Sequence, residues 1–160
     1  MHRDVLCRHS FQPHGAAIHG YCLIVPHRSC ELSQILFMTI NDITYHIRGA
    51  IFKVYNELGP GLLESIYEAA LCYQLRKDGL KVESQVTLKV VYDGHVLPVD
   101  YRLDLLVEDC VIVELKSVEE MKKVFHKQLL TYMKISCKHI GILVNFNTDD
   151  IASNIYRKIL

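Results

Sequence analysis

The spacing of apolar residues changes along the chain, and this change constrains the fold more than any single motif. Apolar side chains recur at helical spacing through residues 40–58 and again through residues 63–71. From residue 82 to residue 90 they alternate with polar side chains, which is typical of a strand with one buried face. The periodic part of the chain therefore begins with two helices and then enters a sheet.

Three further strands are predicted beyond residue 90. Asp93-Gly94 is a hairpin turn signal, and strands at about 96–107 and 111–116 follow it. The apolar run Ile140–Val144 is typical of a fourth, buried strand. The predicted sheet is a three-stranded meander to which a crossover adds one more strand.

Two more helices complete the predicted order. Ser117-x-x-Glu120 is interpreted as a capping box that opens a helix to about Ser136. A short last helix is predicted from the isoleucines at positions 151, 155 and 159. The order is α-α-β-β-β-α-β-α, which indicates one α/β domain with a four-stranded sheet flanked by helices.

Composition excludes several classes of protein. The chain has 160 residues, half of them hydrophobic, which suits one folded domain and argues against disorder. The 18 basic and 18 acidic residues create no overall field toward nucleic acid or membrane, so such binding needs local charge. The apolar runs are too short to span a membrane. Six scattered cysteines without a CxxC pair predict reduced thiols and a cytoplasmic location.

Residues 1–37 differ from the rest. They contain five of the nine histidines and no lysine, and they show no helical or strand period. The histidines and cysteines raise the idea of zinc, but the spacing Cys22-x7-Cys30 is not that of a zinc-finger knuckle. We interpret this segment as a weakly ordered or unstructured extension before a domain at 38–160, with Met38 as a candidate for the true start.

Asp104, Glu114 and Lys116 interrupt two otherwise apolar strands. Glu114 and Lys116 are two residues apart, so they project from the same face. A two-residue turn between the strands would place Asp104 opposite Val113, whereas a three-residue loop at 108–110 would place it opposite Glu114. We expect the second register, because burying Asp104 unpaired against the apolar face would cost several kcal/mol.

Two adjacent carboxylates repel one another and need a cation. Oxygen ligands favour Mg²⁺ or Mn²⁺, so Asp104 and Glu114 are candidate metal ligands. Lys116 could orient or help deprotonate an attacking water, or neutralise developing phosphate charge. This set predicts metal-assisted phosphodiester hydrolysis. The alternative is that Glu114 and Lys116 form an ion pair on a solvated face.

Three more side chains are candidates for the same site. Glu64 shares a helix face with the apolar Tyr67, which brings it to the edge of the core, although a carboxylate at a helix start also favours the macrodipole. Gln128 and Tyr132 lie one turn apart in the buried stripe of a later helix. An inward amide needs partners, which a ligand site or the backbone can supply.

Lysines dominate residues 115–139. The spacing of four of them is near helical, so they can form a stripe along a polyanion, and a solvated helix face is the alternative. The four lysines, which are the candidate contacts to nucleic acid, are Lys123, Lys127, Lys134 and Lys138.

Several motifs, in order, resemble the GxxExxY proteins, which are similar to the PD-(D/E)XK nuclease superfamily. The segment Gly61-x-x-Glu64-x-x-Tyr67 matches the signature that gives the first group its name. The resemblance spans about residues 40–147 through Asp104-Leu-Leu-Val, Val111-Ile-Val-Glu-Leu-Lys, Gln128-Leu-Leu-Thr-Tyr132 and Leu143-Val-Asn-Phe-Asn147. It implies a restriction-endonuclease-like core of order α-β-β-β-α-β. Leu103 stands where the superfamily name has proline.

The resemblance also implies roles for residues. Asp104 and Glu114 would hold the metal, and Lys116 would be the catalytic lysine. Glu64 would match the helix carboxylate of the fold, and Gln128 with Tyr132 the QxxxY motif of its RecB-like branch.

The first functional hypothesis is a Mg²⁺-dependent nuclease acting on DNA, with no membrane role. Its small surface predicts weak sequence preference or help from a second copy or another protein. The alternatives are a non-catalytic module that binds nucleic acid or protein, and an enzyme acting on another phosphate ester.

Overall fold

The computed structural model describes residues 21–22 and 38–160. The prediction of a weakly ordered extension falls almost entirely outside these residues, and the domain boundary at Met38 stays a prediction. Among the described residues, no helix has the length and apolar character required to cross a bilayer. The helices and strands are β1 (Tyr21–Cys22), β2 (Met38–Thr39), α1 (Ile40–Leu58), α2 (Glu64–Lys77), β3 (Val82–Tyr92), β4 (His95–Val107), β5 (Val111–Lys116), α3 (Lys123–Ile135), β6 (Ile140–Asn145) and β7 (Ile155–Ile159).

A mixed five-stranded sheet of order β3-β4-β5-β6-β7 forms the centre of the domain. β5 and β6 are parallel, and the other neighbours are antiparallel. The parallel pair is joined by the α3 crossover, as parallel strands require. The α/β class, the mixed sheet and the α-β-β-β-α-β core order are confirmed. β1 and β2 form a separate antiparallel pair.

The predicted last helix is wrong, because the segment forms a fifth strand. A short 3₁₀ turn at Ala152–Asn154 leads into β7, which pairs antiparallel with β6. The spacing of Ile151, Ile155 and Ile159 fits a helix, but Ile159 is 64% exposed and makes no buried stripe. The β-branched and aromatic residues of Ile155–Ile159 suit an edge strand better.

The predicted capping box at Ser117 and Glu120 is also wrong. α3 begins at Lys123, six residues later, and it has no side-chain cap. The Ser117 hydroxyl instead donates to the Leu62 carbonyl at 2.6 Å, which ties the end of β5 to the loop before α2. The described helices do include a capping box at the start of α1, between Thr39 and Asp42.

Two hydrophobic cores lie on opposite faces of the sheet. The α1/α2 core packs helices α1 and α2 against one face, and includes Val113 and Leu115 of β5. The α3 core packs α3 against the other face and includes Ile112. Gly141 allows α3 to approach, because a Cβ there would lie 2.8 Å from side-chain atoms of Leu129 and Met133. The sheet therefore holds strand β5 between two packed hydrophobic layers.

Candidate active site at the end of strand β5

The register of β4 and β5 places the two acidic residues across from one another. Leu105 pairs with Val113 and Val107 with Val111, so the connecting loop has the three residues 108–110. Continued by one position, this register brings Asp104 opposite Glu114. The predicted three-residue loop is confirmed, and Glu114 lies on the α3 side of the sheet, because its neighbours Val113 and Leu115 belong to the α1/α2 core.

Lys116 contacts all three predicted carboxylates. Its Nζ atom lies 3.1 Å from Glu114 Oε1, 3.6 Å from Glu64 Oε1 and 3.9 Å from Asp104 Oδ2. The Lys116 side chain is 10% exposed and that of Glu114 only 2%. The simple surface ion pair considered from the sequence does not describe this arrangement, because the pair is buried within a larger cluster of charge.

The environment of Glu114 opposes its ionisation. Burial, followed by the nearby Asp104 carboxylate, raises the pKa of Glu114 to about 8. Oε1 accepts a hydrogen bond from Lys116, but Oε2 is buried and receives no hydrogen bond from any of the described residues. A buried carboxylate oxygen without a donor is costly, so this atom is poised to accept a ligand.

Asp104 is also held close to the β5 backbone. Its Oδ2 atom accepts a hydrogen bond from the Leu115 N–H at 2.8 Å. Burial raises the pKa of Asp104, and this effect exceeds the opposing effects of the Leu115 hydrogen bond and the Lys116 charge. Two neighbouring carboxyl groups thus both resist charging, and a bound cation would favour their charged forms.

Lys116 stays protonated in this setting. Burial alone would lower the pKa of its ammonium group, but Glu114, Asp104 and Glu64 together raise it above the ordinary value. The ammonium also donates to the Leu115 carbonyl at 2.7 Å and lies 5.8 Å from the centre of the Phe125 ring. Lys116 is therefore a fixed positive charge at neutral pH.

A short loop delivers Glu64 to the site. Gly61 has a positive φ of 96°, which glycine adopts without strain. The buried Tyr67 hydroxyl donates to the Gly59 carbonyl at 2.6 Å and accepts from the Leu62 N–H at 3.1 Å. These bonds fix the turn before α2, so Glu64 at the first helical position faces Lys116. The prediction that Glu64 reaches the core edge is confirmed by this contact.

Gln128 and Tyr132 border the site from α3. The Gln128 amide donates to the Tyr132 hydroxyl, so the inward amide has a side-chain partner rather than the backbone partner considered from the sequence. Burial raises the pKa of Tyr132, the Gln128 hydrogen bond lowers it, and the Glu114 charge raises it further. The last effect shows that the phenol lies within electrostatic reach of the carboxylates.

The lysine stripe is divided by the structure. Lys123, Lys127 and Lys134 are exposed on the outer side of α3 and share one face within about 40°. Lys138 lies beyond the helix, and its ammonium donates to the Asp109 carbonyl in the β4–β5 loop. Since that loop is at the start of β5, Lys138 lies at the opposite end of the strand from Lys116.

Sequence reasoning missed Asn145 as a supporting residue. It pairs with Lys116 in the parallel ladder and is 2% exposed. Its amide donates to the Val118 carbonyl at 2.8 Å and its Oδ1 accepts from the Val118 N–H at 3.0 Å, so it fixes the segment after Lys116. A polar residue closing a buried apolar strand was the available signal.

The donor set fits a divalent cation of the Mg²⁺ type. Two adjacent carboxylates, one with an unpartnered buried oxygen, offer the hard ligands that this ion prefers. Within the described residues, no three His, Cys, Asp or Glu side chains are grouped to hold a metal ion by themselves. An ion here would therefore depend on water and substrate for its other ligands, which is ordinary for Mg²⁺.

Comparison with known proteins agrees with this geometry. A family model described as the PD-(D/E)XK nuclease superfamily matches residues 41–158. The chain belongs to this superfamily. The match includes all of α2, β4, β5 and α3, the elements that carry the site residues. Searches of curated proteins and of solved structures give no match to this chain.

Proposed function

We propose that this protein is a Mg²⁺-dependent nuclease, with Mn²⁺ as a substitute ion, that hydrolyses phosphodiester bonds in DNA. The observation that carries the proposal is the buried Oε2 atom of Glu114, which has no hydrogen-bond partner among the described residues and lies in a cluster where Lys116 faces Asp104, Glu64 and Glu114. A structural ion pair has no need for a second buried carboxylate. Membership in a nuclease superfamily supports the same chemistry.

Each residue of the charged cluster would have a separate role. Asp104 and Glu114 would hold the ion, which when bound lowers the pKa of a coordinated water and neutralises charge at the phosphate. Lys116 is protonated, so it acts as a cation that stabilises the developing negative charge rather than as a general base. Glu64 is half exposed and would hold the ammonium from the α2 side through its 3.6 Å contact.

The border residues and the lysines position the substrate. Because Tyr132 accepts the Gln128 hydrogen bond, its own O–H is free to donate to a phosphate oxygen. Lys123, Lys127 and Lys134 form an exposed positive stripe that suits the backbone of DNA. Lys138 lies at the opposite end of β5 from Lys116, so it would contact only DNA that extends along the whole length of this strand.

The finer assignment to the GxxExxY group is part of this proposal. Its signature residues have a joint structural role, because Gly61 permits the turn, Tyr67 fixes it and Glu64 is presented by it. We also propose a cytoplasmic location, which reduced thiols support: Cys72 and Cys137 are free cysteines. A second copy or another protein would enlarge the small DNA-contacting surface.

Cleavage of supercoiled plasmid and of a labelled single strand tests the proposal, with Mg²⁺, Mn²⁺ or EDTA present. The parent is expected to cut with either metal and not with EDTA. Lys116→Met should lower the rate by about 100-fold or more, as loss of a charge-stabilising group does. The matched control is Lys53→Met, since Lys53 of α1 forms an exposed ion pair with Asp78 at the end of α2.

Two results would count against a nuclease. If Lys116→Met cuts as fast as Lys53→Met, the cluster is not the active site. If the parent binds DNA but cuts neither substrate with any metal, the non-catalytic binding module becomes the better account.

A further inference from the structure

Gln85 has an unusual backbone in the middle of strand β3. Its φ is 53°, a left-handed value that non-glycine residues rarely adopt within a strand. The ladder between β3 and β4 pairs Ser84 with Leu105 and Val86 with Leu103, but Gln85 and Asp104 between them are unpaired. The interruption therefore falls at one position on both strands, and that position includes a candidate metal ligand.

In both strands, the side chains change from one face of the sheet to the other at this position. In a regular strand, residues two apart lie on the same face. Leu105 and Val107 belong to the α1/α2 core, yet Leu103 belongs to the α3 core. Val82 likewise lies in the α1/α2 core, whereas Val86 packs against the α3 core. The hairpin thus exchanges its faces where Gln85 meets Asp104.

This exchange separates β4 from β5 at the site. Their pairing ends with Leu105 and Val113, which are the sequence neighbours of Asp104 and Glu114. A continued ladder would offer the Leu115 N–H a main-chain carbonyl of β4. Instead, Asp104 Oδ2 accepts that hydrogen bond at 2.8 Å. The carboxylate therefore replaces a backbone acceptor and is fixed beside Glu114.

The Gln85 side chain stabilises this backbone distortion through a contact with helix α2. Its amide donates to Glu68 Oε2 at 2.7 Å, and Glu68 lies one turn after Glu64 in α2. Ser84 and Gln85 both line the groove between β3 and α2, although neighbours in a regular strand would face opposite ways. The left-handed backbone is what brings both side chains to this groove.

We propose that Gln85 is a positioning residue, whose left-handed backbone releases β4 from β5 so that the Asp104 carboxylate binds the Leu115 N–H next to Glu114. Strained backbone of this kind is maintained only where the surrounding structure demands it, and it concentrates near functional sites. The proposal rests on the proposed function only in treating Asp104 and Glu114 as a metal pair.

Substitutions at Gln85 distinguish the effect of its backbone conformation from the effect of its side-chain contact with Glu68. Gln85→Gly loses the Glu68 contact but adopts positive φ freely. Gln85→Val disfavours positive φ more than glutamine does because Val is β-branched, and Gln85→Thr is a β-branched polar variant with less risk to folding at this exposed position. Thr87→Val is the matched control, because Thr87 is exposed and regularly paired two positions further along β3.

The primary readout is hydrogen exchange of the Leu115 amide, measured by NMR on leucine-labelled protein and assigned with Asp104→Asn. We expect exchange within about threefold of the parent in Gln85→Gly and Thr87→Val, and at least about tenfold faster in Gln85→Val and Gln85→Thr. Calorimetric Mn²⁺ affinity should follow the same order, whereas a role in stability alone would leave affinity per folded molecule unchanged.

Two results would overturn the proposal. The first is unchanged exchange of the Leu115 amide in both Gln85→Val and Gln85→Thr. The second is faster exchange in Gln85→Gly equal to that in Gln85→Val, which would assign the effect to the side chain. A parent that binds no Mn²⁺ would contradict the proposed function, while the Leu115 amide would still test the role of Gln85.

Discussion

Replacing Glu114 by Gln in the metal-free protein should increase its stability at neutral pH. The folded state raises the pKa of Glu114 from an ordinary 4.5 to about 8, so ionising this group opposes folding. The sign follows from proton binding: between these two values the folded state holds the proton more tightly, so stability is lost as pH rises. Each pH unit in this window corresponds to about 1.4 kcal/mol, which gives a cost of about 3 kcal/mol by pH 7.

The variant removes that cost but weakens the contact with Lys116. Gln retains an oxygen that can accept the Lys116 hydrogen bond, and Lys116 keeps Glu64 and Asp104 as partners. We therefore expect a net gain of about 1–3 kcal/mol at pH 7.5 that vanishes near pH 5. Urea unfolding of both proteins in EDTA across this range measures the difference. A variant less stable at pH 7.5, or a difference independent of pH, would refute this reasoning.

Three further changes have defined outcomes. Lys116→Met should retain or increase Mn²⁺ affinity while cleavage is lost, because a positive charge next to the carboxylates is removed; calorimetry and the cleavage assay decide this, and weaker binding would contradict it. Deletion of residues 1–37 should leave the melting temperature nearly unchanged, and a loss of several degrees in a thermal scan would show that the segment packs on the domain. Gly141→Ala should cost about 1–3 kcal/mol in urea unfolding, because its Cβ would meet Leu129 and Met133 at 2.8 Å; a neutral result would mean that α3 shifts freely.

The charged cluster on β4 and β5 could be predicted because few alternatives were physically acceptable. Alternation fixed the shared face of Glu114 and Lys116, and the cost of burying Asp104 alone selected the three-residue loop that the structure has. The Asp93-Gly94 turn was equally clear, since both residues have positive φ.

Other features depend on contacts that no local pattern contains. Ser117 looked like a helix cap, but its hydroxyl bonds to Leu62, more than fifty residues earlier in the chain. β7 forms because the edge of β6 is open to it, which overrides the helical spacing of its isoleucines. The distortion at Gln85 also has no sequence signal, because glutamine has no special preference for left-handed backbone.

Calorimetric titration of Mn²⁺ into the parent and into Glu114→Gln at pH 7.5 tests the central claim most directly. The unpartnered Glu114 oxygen beside Asp104 predicts a saturable site in the parent that the variant lacks or binds at least about tenfold more weakly. Asp149→Asn is the matched control, because this exposed carboxylate lies on the loop after β6 and should leave Mn²⁺ affinity unchanged. Absence of binding in the parent, or equal affinity in parent and Glu114→Gln, would contradict the account.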